Sequence, residues 1–177
     1  MSNFKDNFSK VIFTIGHSNH QLSIFIQLLN KYHIDVLVDI RSHPYSKYAP
    51  QFDINNLKKA VKAYNIKYLY LGRELGGRPE GKEFYDINGN IIYSTLAESQ
   101  FFREALARIE EGLQKFRIAL MCSEENPDRC HRYLLVGRTL AANGVIVNHI
   151  RGNGELETQN QLKPEIESDS ERQLSLF

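Results

Sequence analysis

The sequence contains no tryptophan and only two cysteines, and its 22 basic residues nearly balance its 21 acidic residues. Two cysteines are too few for the disulfide framework of a secreted protein of this size, so packing, metal binding or redox chemistry accounts for them better. A net charge of +1 provides no general attraction to nucleic acid. Any nucleic-acid binding therefore needs a local basic surface.

Long apolar runs are also missing. No stretch approaches the roughly 18 residues that a membrane-spanning helix needs, and the N-terminal MSNFKDNFSK lacks the apolar core of a signal peptide. We therefore expect a cytoplasmic protein that does not contact a membrane. The 177 residues, 42% of them hydrophobic, suffice for one globular domain with a substantial core.

Short apolar runs alternate with helical patterns along the chain. The predicted strands are residues 11–15, 36–40, 67–71, 118–121 and 145–150. Five strands separated by four helices predict an α/β domain over residues 11–150, with a mainly parallel five-stranded sheet and helices on both faces. This is a flavodoxin-like or Rossmann-like sandwich. Residues 151–177 are polar and lack a periodic apolar face, which predicts a disordered, flexible tail.

Caps and breakers indicate where the helices begin and end. Ser18 and Asn19 precede one helical pattern, and Asp53 precedes another. Asn126 and Pro127 are typical of a helix start, which predicts a helix to about Ala142 with Cys130 on its buried face. Residues 72–90 are glycine-rich and charged, which indicates an irregular loop or a mobile lid.

Reactive side chains follow several of the predicted strands. Because the carboxyl ends of parallel strands meet at one edge of a sheet, we expect these side chains to line one cleft. The candidate catalytic residues are Glu124, Asp39, Cys122 and His17. The candidate substrate-binding or phosphate-binding residues are Ser18, Arg41, Tyr45, Tyr48, Arg73, His131 and Arg132.

These candidates suit three roles: carboxylate chemistry, nucleic-acid binding and thiol chemistry. Glu124 and Asp39 suit general acid/base work or the binding of a hard cation. The segment RSHPYSKY, residues 41–48, interleaves cations with aromatic rings, a mixture that binds phosphates and stacks on bases. Cys122 precedes a predicted helix start, where a thiol has a lowered pKa, although a buried cysteine also serves simply as a packing residue.

The spacing of the cysteine peptide disfavours two further sites. A cysteine phosphatase loop needs an arginine six residues after the cysteine, where Asp128 stands instead. Cys122, Cys130 and His131, with His17 or His43, are acceptable zinc ligands. The peptide lacks a paired CxxC, however, and Cys130 is expected to face the core, so we assign no metal site and no cofactor. A divalent metal at the carboxylates stays an open possibility.

Four blocks resemble a known family: TIGHSN, VDIRSHPYSKYAPQF, YLYLGRELGGRP and ALMCSEENPDRCHR. Together they are similar to the domain of unknown function 488 family over nearly all of residues 11–150. The resemblance implies an α/β domain and specifies no reaction. Its typical positions are Gly16, His17, Ser18, Asp39, Arg41, Pro44, Leu75, Gly76, Gly77, Cys122, Glu124, Pro127, Cys130, His131 and Arg132. Ser123 departs from the alanine that is common in the family.

The chain ends in QLSLF, which resembles the pentapeptide that binds the bacterial polymerase sliding clamp. In that resemblance Leu174, Leu176 and Phe177 enter a pocket on the clamp, and Gln173 forms hydrogen bonds at its rim. An apolar peptide at the end of a solvated tail is the context that a peptide ligand requires. The alternative is that the peptide docks on the protein's own core.

These observations favour a DNA-maintenance protein that the clamp recruits and whose cleft binds DNA or a nucleotide. The expected reaction is hydrolysis of an N-glycosidic or phosphodiester bond. Two alternatives stay open: a thiol-dependent enzyme that uses Cys122 and Cys130, and a nucleic-acid-binding adaptor without catalysis.

Overall fold

The computed structural model describes residues 10–160, and these form an α/β domain around one sheet. The sheet has six strands in the order β3-β2-β4-β1-β5-β6. The strands are β1 Val11–Gly16, β2 Val36–Asp39, β3 Lys67–Tyr70, β4 Ile118–Cys122, β5 Ile146–Ile150 and β6 Leu156–Thr158. The first five run parallel, and β6 pairs antiparallel with β5. The predicted class is confirmed, with one strand more than expected.

Helices cover both faces of the sheet. They are α1 Leu22–Lys31, α2 Ile54–Ala63, α3 Gly72–Leu75, α4 Tyr93–Glu98, α5 Gln100–Gly112 and α6 Arg138–Ala142, with short 3-10 turns at Pro50–Phe52, Lys82–Phe84 and Pro127–Arg129. The strand order matches the classical Rossmann order except that β1 and β4 exchange places. As a result β4 lies at the centre of the sheet, between β1 and β2.

Alternation along the strands divides the apolar core into two layers. Phe13, Ile15 and Leu37 face α1 and α2 and pack with Phe25 and Leu57. Strand residues on the other face of the sheet pack with helical residues in the second layer. This layer includes Ile12, Val38, Leu120, Leu96, Phe102, Leu106, Leu135 and Leu140. Between residues 10 and 160 no helix has the length and apolar character needed to cross a membrane.

Two predicted caps differ from those in the structure. Gln21, rather than Ser18 or Asn19, immediately precedes α1, and Ser18 adopts a left-handed φ of 46° in the turn before it. Asp53 does precede α2, but its carboxylate does not cap the helix. Asp53 Oδ1 instead accepts a hydrogen bond of 2.8 Å from the backbone N–H of Ser46. Ser18 and Asp53 therefore belong to the loops before the two helices, and neither side chain caps a helix.

The predicted helix from Asn126 to Ala142 is broken into three parts. A 3-10 turn covers Pro127–Arg129, and Asn126 caps it by accepting a hydrogen bond from Asp128. Cys130 is extended, with φ −123° and ψ 143°. A π-helical segment, Arg132–Gly137, then leads into α6. The break at Cys130 matters for the site because it removes that residue from the regular helical face on which it was expected.

The domain also continues beyond its predicted end at Ile150. Strand β6 pairs with β5 through the register His149↔Glu157, within the segment predicted to be a flexible tail. Gln159 connects this strand to the core, because its amide contacts His149 and the backbone of Tyr133. The QLSLF peptide lies outside the described residues.

Candidate functional site

The carboxyl ends of the central strands meet at one edge of the sheet. Asp39 at the end of β2 is in register with Met121 of β4, and Gly16 of β1 is in register with Cys122. This edge borders a pocket of about 390 Å³. The pocket is lined by Ser42, His43, Gly77, Arg78, Asn90, Ile91, Tyr93, Cys122, Ser123, Glu124, Arg129, Cys130 and His131.

A cluster of two thiols and an imidazole forms the base of the pocket. Nδ1 of His131 lies 3.7 Å from Sγ of Cys122 and 3.8 Å from Sγ of Cys130. The three potential ligand atoms all lie within 4.8 Å of one another. Both cysteines are buried. Cys130 was expected to pack in the core. It lines the pocket instead, because the chain is extended at that position.

The pKa values of the two thiols are shifted in opposite directions. The pKa of Cys122 lies well below its ordinary value, because Cys130 donates a hydrogen bond to it and the nearby His131 and Arg132 favour its anionic form against the effect of burial. Burial and the neighbouring Cys122 raise the pKa of Cys130 well above its ordinary value. Negative charge in the cluster thus resides first on Cys122.

The backbone immediately after β2 fixes the orientation of the His131 ring. Its Nε2 lies 3.0 Å from the carbonyl oxygen of Ile40, which makes Nε2–H the donor and turns Nδ1 towards the sulfurs. Burial acts to lower the pKa of His131, but the contacts with Cys122 and Ile40 outweigh burial and raise it. Gly77 leaves space beside the ring, because a Cβ there would come within 2.9 Å of Nδ1.

Asp39, Arg41 and His17 do come together, but in a second cluster that is buried. Asp39 is completely buried and binds the Arg41 guanidinium through both carboxylate oxygens, at 2.9 and 2.7 Å. The hydroxyl of Tyr68 donates a further hydrogen bond to Asp39. The remaining contacts of Arg41 are to the carbonyl of Phe52 and to Nε2 of His17. This ion pair therefore stabilises the end of β2.

His17 is held as a neutral imidazole in the same cluster. Arg41 donates to Nε2, which leaves Nδ1–H to donate to the carbonyl of Ser18. Burial, and then the charge of Arg41, lower the pKa of His17 against the effect of the Ser18 carbonyl. Its ring stacks on Phe52 at 4.5 Å between ring centroids. Both ring nitrogens of His17 therefore have protein partners.

Arg132 is also completely buried, and it supports the turn that follows Cys122. Its Nη2 donates to the carbonyls of Glu124 and Glu125 at 2.9 and 2.6 Å, and its Nη1 donates to the hydroxyl of Thr14. Within residues 10–160 no carboxylate forms an ion pair with Arg132. Arg132 is thus a fixed positive charge beneath the thiols.

The two glutamates that follow Ser123 have different environments. Glu125 forms an ion pair with Arg151 at 2.9 Å and accepts a hydrogen bond from the backbone of Gly152. Glu124 is exposed and lines the pocket. Gly16 makes this turn possible, because a Cβ there would overlap the Glu124 carbonyl at 1.7 Å. Of the two predicted catalytic carboxylates, Glu124 is the one that faces the pocket.

Other predicted residues lie away from the pocket lining. Tyr45 and Tyr48 are 63% and 94% exposed on the loop that follows β2, and Arg73 is exposed on α3. Ser18 lies in the turn after β1, where its backbone N–H donates to the carbonyl of Ser123. None of these four residues lines the pocket.

The glycine-rich segment, predicted as an irregular loop or mobile lid, forms one wall of the pocket through Arg78 and Asn90. Tyr93 lines the pocket from α4 and Arg129 from the 3-10 turn, and sequence reasoning did not identify Asn90, Tyr93 or Arg129 as candidates. The backbone N–H of Arg78 is anchored by the Ser42 hydroxyl at 2.9 Å. Burial, and then the nearby cysteines, raise the pKa of Tyr93 to about 12. The adjacent glycines Gly76 and Gly77, whose close approach to other chain segments excludes a side chain, were the available signal.

The model of the domain of unknown function DUF488 matches residues 21–139. The chain belongs to this family. No curated protein and no solved structure matches the chain. The DUF488 match covers β2, β3 and β4 together with every residue that lines the pocket. It ends before β5 and β6.

Proposed function

We propose that the protein is a DNA-maintenance hydrolase that binds DNA or a nucleotide in this pocket and cleaves an N-glycosidic or phosphodiester bond. The observation that carries the proposal is the combination of one exposed carboxylate, Glu124, with the guanidinium groups of Arg78 and Arg129 in the same pocket. Among residues 10–160 none of these three side chains forms an ion pair. They are therefore available to a ligand.

The proposed roles follow from charge and exposure. The two arginines bind phosphate, because guanidinium groups form charge-assisted hydrogen bonds with phosphate oxygens. Glu124 accepts a proton from the attacking water, and the leaving group is protonated from solvent. Tyr45 and Tyr48 are exposed aromatic rings on a neighbouring loop, which suits stacking on an unpaired base. Asp39 and Arg41 have no direct role in this scheme, because their charges already pair with each other.

The test uses a short single-stranded DNA oligonucleotide labelled at one end, supplied with and without deaminated, alkylated and abasic positions. We expect Glu124→Gln to bind the oligonucleotide normally and to lower the rate of product formation by about 100-fold or more. The double variant Arg78→Gln/Arg129→Gln should weaken binding and flatten its dependence on salt. Glu98→Gln, at the end of α4 and outside the pocket lining, is the matched carboxylate control. Unchanged turnover in Glu124→Gln would reject the assignment of the base.

A thiol-dependent reaction is the second candidate, and one contact favours it. Cys122 Sγ faces both the Cys130 thiol and Nδ1 of His131 at the base of the pocket, an arrangement typical of an activated cysteine. In such an enzyme iodoacetamide should modify Cys122 and abolish turnover, and substrate should protect the thiol. An adaptor without catalysis would bind the oligonucleotide and form no product under any of these conditions.

We further propose that the QLSLF peptide recruits the protein to the bacterial polymerase sliding clamp. Gln173, Leu174, Leu176 and Phe177 carry this proposal by their sequence alone. Recruitment to the clamp would deliver a repair-associated hydrolase to newly replicated DNA.

A further inference from the structure

We propose that Cys122, Cys130 and His131 bind one zinc ion at the base of the pocket. This proposal goes beyond the hydrolase function and does not depend on it, because it rests on the arrangement of three side chains. The spacing of these residues in the sequence argues against a zinc site. The structure reverses that argument by bringing all three ligand atoms within 4.8 Å of one another.

The two distances between the His131 nitrogen and the sulfurs fit a tetrahedral ion. With Zn–S bonds of about 2.3 Å and Zn–N bonds of about 2.0–2.1 Å, neighbouring sulfur and nitrogen ligands of a tetrahedral site lie about 3.6 Å apart. The observed distances from His131 Nδ1 are 3.7 Å to Cys122 Sγ and 3.8 Å to Cys130 Sγ. Both are long for a strong hydrogen bond. The near-equal distances to two sulfurs suit an ion placed among the three atoms better than a single thiol–imidazole pair.

Backbone groups around the cluster support the ligand assignment. Metal-binding histidines usually donate their other ring N–H to a carbonyl or carboxylate, and His131 Nε2 lies 3.0 Å from the carbonyl of Ile40. This bond leaves the Nδ1 lone pair directed at the sulfurs. The backbone N–H of Arg132 donates to Cys130 Sγ at 3.5 Å, a contact that stabilises a thiolate ligand. The two thiols lose their protons to solvent when zinc binds, because the thiolate is the ligand.

The pocket leaves room for a fourth ligand. All three protein ligands line it, and Gly77 keeps the space beside His131 Nδ1 free of a side chain. Three protein ligands with one open position are the pattern of a catalytic zinc rather than a closed structural one. A water molecule or a substrate oxygen is the expected fourth ligand.

The first experiment measures metal in the full-length protein. The protein is expressed in zinc-supplemented medium, purified under reducing conditions without chelators, and analysed for zinc, iron, copper and nickel. We expect about one zinc ion per chain. Replacement by cobalt should give the sulfur-to-cobalt charge-transfer band and the intense visible bands of a tetrahedral thiolate site. Iron in place of zinc, or no metal after zinc is added to the reduced protein, would overturn the proposal.

Variants test which residues bind the ion. Cys130→Ser and His131→Gln should each lower zinc affinity by more than about 100-fold, since even the loss of a residue that only supports a ligand costs 10–100-fold. His33→Asn is the matched control, because His33 is exposed and asparagine tolerates its left-handed φ of 53°. It should keep its zinc. Zinc retained by folded Cys130→Ser and His131→Gln would contradict the assignment.

Measurements on the wild-type protein keep the test decisive if the variants fail to fold. X-ray absorption at the zinc edge should show two sulfur ligands and at least one histidine nitrogen. Zinc should also block alkylation of Cys122, and a chelator should restore it. Equal alkylation with and without zinc, or a Cys122–Cys130 disulfide as the stable state of the zinc-treated protein, would overturn the proposal. These readouts do not involve turnover, so a failure of the hydrolase function leaves them interpretable.

Discussion

At the scale of single residues, the charged side chains at this edge of the sheet form two groups. One group is buried and stabilises the fold, and the other lines the pocket and is available to a ligand. Asp39, Arg41 and Arg132 are completely or almost completely buried and have protein partners for most of their polar atoms. Glu124, Arg78 and Arg129 are exposed and lack ion pairs within residues 10–160. Residue type alone does not distinguish the two groups, because an arginine in a loop serves either purpose.

Asp39→Asn tests the structural assignment of the buried ion pair. The substitution keeps the shape but replaces one of the two acceptor oxygens with an NH2 group and leaves the Arg41 charge without a counterion, which should lower the free energy of unfolding by about 3–5 kcal/mol. Urea denaturation measures the effect. The double variant Asp39→Asn/Arg41→Met should cost less than the sum of the two single changes, because it removes the unpaired charge. A loss of activity in Asp39→Asn with unchanged stability would instead indicate a direct catalytic role.

His149 predicts a specific dependence of stability on pH. Burial, and then the charge of Arg132, lower its pKa to about 4 in the folded protein, whereas an unfolded histidine titrates near 6.5. The unfolded chain therefore binds more protons between these values. The free energy of unfolding should decrease by up to about 3 kcal/mol as the pH falls from 6.5 towards 4, and this contribution should be constant above and below that range.

Urea denaturation at a series of pH values measures this slope. His149→Gln retains a side chain that can bond with Thr14, the partner that lies 2.7 Å from His149 Nδ1. The variant should show a shallower decrease over the same range, since the carboxylates that remain titrate in both proteins. Identical slopes for the two proteins would contradict the assignment.

At the scale of elements, the segment after β4 explains why the site could be predicted only in part. The strand ends and their polar residues follow from apolar runs in the sequence, and three candidates placed in this way, Glu124, Cys122 and His131, line the pocket. Cys130 entered only the thiol-enzyme alternative and was otherwise assigned to packing, because helical periodicity from Asn126 to Ala142 places it with Leu134 on the buried face. The actual chain is extended at Cys130 and π-helical after it, and a local break of this kind has no periodic signal.

The pairing of charged side chains also could not be predicted from the sequence. Arg41 stands among hydroxyls and aromatic rings in RSHPYSKY, which suggested a phosphate ligand. Its true partner, Asp39, lies two residues earlier, at the end of the same strand. The sequence does not reveal the burial of the two side chains, which decides between an ion pair and a free cation.

Strand β6 is expected to stabilise the domain. A chain that ends at Ile150 should be less stable than one that ends at Asn160 by at least about 2 kcal/mol, because buried groups of His149 and Tyr133 lose the Gln159 amide. Thermal unfolding of the two truncated chains measures the difference. The chain that ends at Asn160 serves as the control and should match the full-length protein. Equal stability of the two truncated chains would show that β6 contributes nothing to the domain.

At the scale of the whole molecule, a nearly neutral chain places one exposed carboxylate and two exposed guanidinium groups around the pocket at one edge of the sheet. The net charge of +1 provides no broad attraction to nucleic acid, so the proposed function requires its affinity to come from the pocket and from the proposed recruitment. The family match spans the pocket and stops before the C-terminal segment. The pocket and the QLSLF peptide are therefore open to separate tests.

If the proposed recruitment holds, removal of Gln173 to Phe177 should abolish capture of the protein by an immobilised bacterial sliding clamp, because the apolar side chains assigned to clamp binding are lost. Thermal unfolding of the truncated protein should be unchanged. Ser175→Ala is the matched control and should be captured like the wild type, since the serine is not among the residues assigned to binding. Capture that persists without the five residues would reject the recruitment proposal.

The two outer strands of the sheet differ in a way that affects self-association. The β5 side is completed by the antiparallel β6, whereas β3 ends the sheet at the other side. A terminal strand can template pairing with a second chain, and natural proteins discourage this with short strands and lysine. Strand β3 has only four residues and begins with Lys67, whose ammonium group lies 4.2 Å from the centre of the Phe116 ring. Neutralising Lys67 would therefore remove a safeguard against aggregation without altering the pocket.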